Sequence, residues 1–358
     1  MTQAGAIAGD ARPLDAKEAA RVHFVLRFAF GTTLAFTACE YMGWQPSALS
    51  AVFSGILLGN LPAAPPFKVG FAVTLSIWLA AWFAFLLTTH LNESPLVLFG
   101  AIGLVLFVAL AFLAQGKGAL PLTLLLVCIA VIPVITLMIP TEGHRLAQIF
   151  ARGMMVAVAC TWVVHAIWPR PFAAFPPGEN ELPDDPIRIA LAGTAVVLPI
   201  MLVYQMFGLT DAMPVLTTTT LIIAKMNQEK GAAAGILKLI LNFVGGIIAV
   251  VAFYALSIAP SLVTFALIVF IINFGFGSLV SKGGRRAGAA LLGFNATMII
   301  FGLAVLKGPE NEGVWGARVL QFMIAVTFAI GMMILLMPKP RTKQAAPTVP
   351  PAPASNPS

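Results

Sequence analysis

The sequence predicts an all-α, polytopic membrane protein of about twelve transmembrane helices, arranged as two repeats of six. Of its 358 residues, 59% are hydrophobic and only 10% are charged, whereas soluble domains carry about 25% charged residues. The mean hydropathy is +0.94. The charged residues lie mostly in short gaps between long apolar runs, which is the pattern that a bilayer imposes.

The predicted elements follow one another in two similar sets. Residues 1–20 are polar, and we expect them to form a disordered or loosely helical cytoplasmic segment. The first repeat, 21–170, holds six apolar segments: 22–42, 47–61, 69–88, 96–114, 119–139 and 147–168. A polar, Pro-rich cytoplasmic linker covers 171–186. The second repeat, 187–338, holds six more: 187–207, 213–224, 232–256, 262–280, 287–306 and 316–337. The Pro/Ala-rich residues 339–358 are predicted to be disordered.

Two of the segments are unusually short. The second begins near Pro46 and the eighth begins near Pro214, and both are shorter than the ~20 residues of a span. The eighth carries four consecutive threonines, Thr217 to Thr220. Short or Pro-interrupted segments at corresponding positions of two halves are typical of the substrate site of a transporter.

Recurring motifs and charge asymmetry predict the topology. Pro46 recurs 168 residues later as Pro214, and Lys117 recurs after 165 residues as Lys282. Lys and Arg are concentrated in the termini, the linker and alternate loops, which predicts that both termini are cytoplasmic. Six spans per half is an even number, so both halves have the same orientation, and we expect a cavity between them.

These features resemble the fusaric acid resistance / aromatic acid exporter family. The resemblance depends on an Arg opening the first helix (Arg27, Arg188), on the short second helix, and on a basic residue before a Gly-containing third helix (Lys68, Lys238). It extends over about residues 20–338 and is a match of pattern. Because the chain has only a short linker and tail, it is most similar to the compact, membrane-only branch (DUF2955-like).

The resemblance implies a bacterial inner-membrane exporter that is driven by protons and carries small organic anions, aromatic carboxylates among them. It also implies a periplasmic membrane-fusion adaptor and an outer-membrane channel as partners; a homo-oligomer is left open. A passive anion channel of the same fold and a non-transporting membrane scaffold are the alternatives. No motif for an enzyme or a cofactor occurs, and the net charge of +7 is interpreted as a topology signal, not as a nucleic-acid site.

The candidate pathway residues combine hydroxyls, amides and buried positive charge. Thr217, Thr218, Thr219 and Thr220 could line a polar pathway or simply pack between helices. Arg27 could attract an anion or extend to lipid headgroups, and Lys238 near Asn242 has the same two interpretations. Asn273, Asn295 and Asn242 could each line a cavity, although interhelical hydrogen bonding is the commoner role of such amides.

Proton coupling requires a group that titrates inside the membrane. His165 lies within the sixth segment and is the natural candidate by chemistry. None of the predicted segments carries an Asp or Glu at its centre. Glu40 and Asp211 precede the two short segments and are the preferred carboxylates, although acids in loops are usually solvated.

Overall fold

The computed structural model describes residues 16–139, 143–173, 185–206, 216, 220, 232–307 and 331. Within these residues the regular structure is entirely α-helical and comprises ten helices: α1 (Ala16–Tyr41), α2 (Ala48–Asn60), α3 (Phe67–Leu91), α4 (Pro95–Ala114), α5 (Ala119–Met138), α6 (Gly143–Ile167), α7 (Pro186–Met206), α8 (Ala232–Ile258), α9 (Leu262–Val280) and α10 (Gly284–Lys307). Eight of the helices found there are long and apolar enough to cross a bilayer, which indicates a multi-pass membrane protein.

The ten helices coincide with ten of the twelve predicted segments. The eighth and twelfth segments, most of the linker and the tail lie largely or wholly outside the described residues. Helix α1 begins at Ala16, inside the stretch expected to be disordered or loosely helical. The residues Ala16 to Ala20 are all good helix formers, so the helix extends beyond its apolar part.

Helix α2 is an internal helix. It has 13 residues, about 20 Å at 1.5 Å per residue, against a hydrocarbon core of about 30 Å. Every residue from Ala48 to Gly59 is buried. Its neighbours are α1, α6 and α10, so it lies at the centre of the bundle.

The described helices form one connected bundle. Helix α1 packs against α2, α6 and α9, while α10 packs against α2, α8 and α9. Helix α3 packs between α5 and α6, and α4 packs against α5 and α7. Helix α10 is the most buried of the eight spans, since 83% of its most apolar stretch is buried inside the protein.

Two glycines allow a close helix crossing between α8 and α10. A Cβ atom at Gly293 would lie 2.7 Å from the carbonyl oxygen of Leu241, and one at Gly245 would lie 2.5 Å from that of Gly293. Both distances are to backbone atoms, which cannot move away by a rotamer change. Small residues are therefore required here, as is usual where membrane helices approach closely.

Candidate functional site

Arg27 lies inside the bundle on α1 and is only 1% exposed. Its Nη1 atom donates hydrogen bonds to the carbonyl oxygens of Trp168, at 2.7 Å, and Arg170, at 2.5 Å. Its Nη2 atom is buried and has no hydrogen-bond partner. Because the guanidinium is enclosed and bonded to backbone at the end of α6, it does not reach lipid headgroups in this conformation.

His165 lies in the last turn of α6 and is 4% exposed. Its Nδ1 atom is 2.8 Å from the carbonyl oxygen of Thr161. A carbonyl only accepts, so Nδ1 carries a proton, and Nε2 of the neutral ring is an acceptor. That Nε2 atom is buried and has no partner.

Arg27 and His165 belong to one basic cluster where α1 meets the end of α6. The charge of Arg27 is within electrostatic range of His165 and also of His23, one turn earlier on α1. The Nδ1 atom of His23 is likewise buried and unpartnered. We refer to Arg27, His165 and His23 as the basic cluster. Among the described residues no carboxylate pairs with it.

A second polar region lies deeper in the bundle. Asn273 on α9 is buried, and its Nδ2 atom donates to the Thr33 hydroxyl on α1 at 3.1 Å. The Oδ1 atom of Asn273 is buried without a partner. The expected interhelical hydrogen bond is therefore present, but it leaves an acceptor unused.

Asn295 on α10 has no such bond. It is 0% exposed, and neither atom of its amide has a hydrogen-bond partner. Ser54 on α2 is also fully buried with an unpartnered hydroxyl. Gly55 lies against the ring of Phe294, and Gly59 lies against Leu291, so α2 and α10 run in opposite directions. Ser54 and Asn295, each next to a residue of the first contact, therefore lie at the same level.

Helix α1 brings Thr33 to the same depth. Two contacts with α2 bracket it: Gly31 lies against Leu58, and the Ser50 hydroxyl donates to the carbonyl oxygen of Ala35 at 2.9 Å. Four polar side chains on four helices thus share one level of the bundle. We refer to them as the polar layer: Thr33, Ser54, Asn273 and Asn295.

Glu40 organises the turn between α1 and α2. Its carboxylate accepts hydrogen bonds from Gln45 Nε2, at 3.2 and 3.1 Å, and from the hydroxyl of Ser47. The ring centroid of Trp44, in the same turn, lies 4.8 Å from the guanidinium of Arg152 on α6. The carboxylate therefore holds the start of the short helix, and its role in proton coupling stays a prediction.

The remaining predicted site residues are described only in part. Thr217 to Thr219 and Asp211 lie outside the described residues, as do the side chains of Lys238 and Asn242 on α8. Thr220 is described, is buried, and has an unpartnered hydroxyl. The pathway role of this set stays a prediction.

Sequence reasoning selected Arg27 and His165 for separate roles, and the structure brings them to one junction. Ser54 was not selected. A signal for it exists, because Ser47, Ser50 and Ser54 follow helical spacing and all three are buried. His23 carries a signal of its type, because it is a histidine at the start of the first apolar segment, whereas nothing in the sequence marks Thr33.

A family model described as "Protein of unknown function (DUF2955)" matches residues 25–164. The match runs from within α1 to within α6, so it includes Arg27 and the short helix α2, but it begins after His23 and ends before His165. No curated protein and no solved structure matches the chain. The chain is thus similar to an uncharacterised family over its first six helices.

Proposed function

We propose that this protein is a membrane transporter that exports small organic anions, aromatic carboxylates among them. The observation that carries the proposal is the polar layer. It contains buried amide and hydroxyl atoms without partners, packed among the apolar side chains of the core. Unpartnered polar groups are costly in hydrocarbon and are kept where they line a route for a polar ligand.

The arrangement of this transporter would be two six-helix repeats, related by an axis along the membrane normal. Equivalent contacts support it, with α7 as the counterpart of α1 and α9 as the counterpart of α4. Helix α1 packs on α9 just as α7 packs on α4, and α3 packs on α5 just as α8 packs on α10. In this arrangement the first helix of each half packs against the fourth helix of the other half. The polar layer would lie where the two halves meet.

Amide and hydroxyl groups suit a carboxylate substrate. The Asn295 amide can donate through Nδ2, and the Ser54 hydroxyl can donate as well. Neither carries a charge, so binding there would be weak enough for release, which a transport site requires. The short helix α2 is also buried from Ala48 to Gly59, and short helices at corresponding positions of two halves are typical of transporter sites.

The exporter would lie in the inner membrane with both termini in the cytoplasm. Arg21 Nε donates to the Ser281 hydroxyl at 3.0 Å, which joins the ends of α1 and α9 where basic loop residues are concentrated. The proton gradient would supply energy, and a periplasmic adaptor would receive the substrate.

The test is benzoate uptake into inverted membrane vesicles that contain the protein. We expect accumulation above the outside concentration when the vesicle interior is acidified, and collapse of the gradient when a protonophore is added. Asn295→Leu should lower the initial rate at least tenfold at equal protein abundance, while the exposed Asn92→Leu should not. Failure of a broad panel of aromatic acids to enter the vesicles would refute the proposal.

One observation favours a passive anion channel as the second candidate. Among the described helices, the carboxylates lie only near the ends of α1, at Glu18 and Glu40. A pump usually carries a titratable acid deeper in the membrane. A channel would equilibrate benzoate across the vesicle membrane and would never accumulate it, so the same experiment separates the two candidates.

A further inference from the structure

We infer that residues 168–173, which follow α6, form a strap that closes the polar layer from the cytoplasmic side, and that Arg27 is the latch that holds the strap shut. This inference rests on the proposed function and deepens it, because it names the gate through which the substrate enters. Three hydrogen bonds and two aromatic contacts fix the strap against α1 and the end of α2.

Backbone atoms of the strap make the three hydrogen bonds. Arg27 Nη1 donates to the carbonyl oxygens of Trp168, at 2.7 Å, and Arg170, at 2.5 Å. The backbone N–H of Phe172 donates to the carbonyl oxygen of Pro62, just after α2, at 3.1 Å. The strap is therefore tied to α1 and to the end of α2 through its main chain.

Two aromatic side chains of the strap pack on α1. The ring of Trp168 is stacked on that of Phe30, with the ring centroids 5.0 Å apart, and the ring centroid of Phe172 also lies 5.0 Å from that of Phe24. The three residues between the two aromatic residues are exposed: Pro169, Arg170 and Pro171. The strap is therefore a single layer of chain between α1 and the outside of the protein.

The polar layer lies directly beyond the strap. Thr33 is three residues after Phe30 on α1, which is about one helical turn. Ser54 is six residues before the end of α2, the end to which the strap is bonded through Pro62. A ligand that approaches from the start of α1 therefore meets the strap before it meets the polar layer.

Closure of the strap removes a guanidinium from water. Arg27 is 1% exposed, and its Nη2 atom has no hydrogen-bond partner. Burial of a charge is unfavourable unless hydrogen bonds compensate it fully. Opening of the strap hydrates Arg27 but breaks the two aromatic contacts, so opposing terms stabilise the closed and the open state. A gate that opens and closes during transport requires such a balance.

Hydrogen–deuterium exchange of the purified full-length protein tests whether the strap opens. Pro169 and Pro171 have no amide hydrogen, and the amide of Phe172 is the hydrogen-bonded reporter. We expect this amide to exchange about a hundredfold faster than the amides in the middle of α6, because the strap opens without unfolding of the helix. Equal rates would show that the strap opens only when the whole protein unfolds, and would overturn the inference.

Two variants should loosen the strap. Arg27→Gln removes the latch and should raise the exchange rate of the Phe172 amide about tenfold. Phe24→Leu removes only the aromatic contact and should raise the rate by a smaller factor, which keeps the test decisive if Arg27→Gln does not fold. Arg152→Gln is the matched control, because Arg152 on α6 contacts Trp44 beyond the other end of α1. An unchanged rate in the first two variants, or an equal rise in the control, would contradict the latch.

A locked strap should stop transport reversibly. Phe30→Cys/Trp168→Cys places two thiols where the stacked rings lie, and a short, membrane-permeant bis-thiosulfonate reagent joins them. We expect the initial rate of benzoate uptake into inverted vesicles to fall about tenfold on cross-linking and to recover on reduction. Each single cysteine variant, treated with the same reagent, is the control, since the three native cysteines are buried.

The two measurements separate failure of this inference from failure of the proposed function. Hydrogen exchange needs no substrate, so it supports or overturns the strap even if the wild-type protein carries no benzoate. Uptake that persists unchanged in the cross-linked protein would refute the gate and leave the transporter intact. Absence of wild-type uptake for the whole panel of aromatic acids would refute the proposed function instead.

Discussion

Helix α10 has two opposite faces, and buried polar atoms have hydrogen-bond partners on one face but not on the other. On one face, Gly293 and Thr297 meet α8, and the Thr297 hydroxyl lies 2.9 Å from the carbonyl oxygen of Gly245 and 2.8 Å from that of Gly293. On the other face, Asn295 has no partner for either amide atom. Asn295 is two residues from each, a rotation of about 200° around the helix.

The difference separates buried polar residues that hydrogen-bond to a neighbouring helix from buried polar residues without a hydrogen-bond partner. The α8 face combines glycines, close backbone contact and a hydroxyl with acceptors in reach, which is how membrane helices stabilise each other. The Asn295 face has the same burial and no such compensation. Burial of a polar residue is therefore not itself a functional signal, and the missing hydrogen-bond partner is what distinguishes Asn295 from Thr297.

The largest expected effect is on the α8 face. Gly293→Ala places a Cβ atom against the Leu241 carbonyl, so we expect a loss of about 1–3 kcal/mol in the free energy of unfolding. Gly275→Ala on α9 is the control, because a Cβ atom there meets nothing within 4 Å. Thermal melting in detergent would measure both. Equal melting temperatures would show that the crossing is looser than the structure has it.

Replacement of each buried asparagine by leucine should change the stability of the protein differently. Asn295→Leu removes two unpartnered polar atoms, so stability should be unchanged or higher by about 1 kcal/mol. Asn273→Leu removes the hydrogen bond to Thr33 and should lower stability by about 0.5–1 kcal/mol. Melting temperatures of the two variants are the measurement. If Asn295→Leu is the less stable one, its amide has a structural partner, and the contrast between the faces of α10 disappears.

The smallest effect extends the comparison to helix α2. Ser50 donates to backbone carbonyls, at 2.9 Å for Ala35 and 2.6 Å for Ser47, whereas the Ser54 hydroxyl has no partner. Ser50→Ala should cost about 0.5–1 kcal/mol, and Ser54→Ala should be neutral for stability. The vesicle assay should show the reverse order, with transport lowered only by Ser54→Ala. Equal transport by both variants would remove Ser54 from the pathway.

Much of the helical framework could be predicted from the sequence. The apolar runs and their Pro, Gly and charged boundaries placed ten segments that the structure describes as helices, including the short α2 between Pro46 and Pro62. Length and hydropathy suffice for this, because each membrane helix satisfies its own backbone hydrogen bonds locally.

The candidate site could be predicted only as a set of residue types. Arg27 and His165 were recognisable as costly residues in an apolar setting, but their shared junction was not. The partners of Arg27 lie 141 and 143 residues away, and Thr33 lies 240 residues from Asn273. No local pattern encodes contacts at such separations.

The sequence alone determined an α-helical membrane protein with a short second helix and an excess of basic residues. Only the tertiary structure decided which buried polar atoms are satisfied. Asn273 and Asn295 are the same residue type in similar apolar helices, and one donates a hydrogen bond to Thr33 while the other has no partner. The reason is physical: hydropathy depends on each side chain by itself, whereas a hydrogen bond depends on which helix lies opposite.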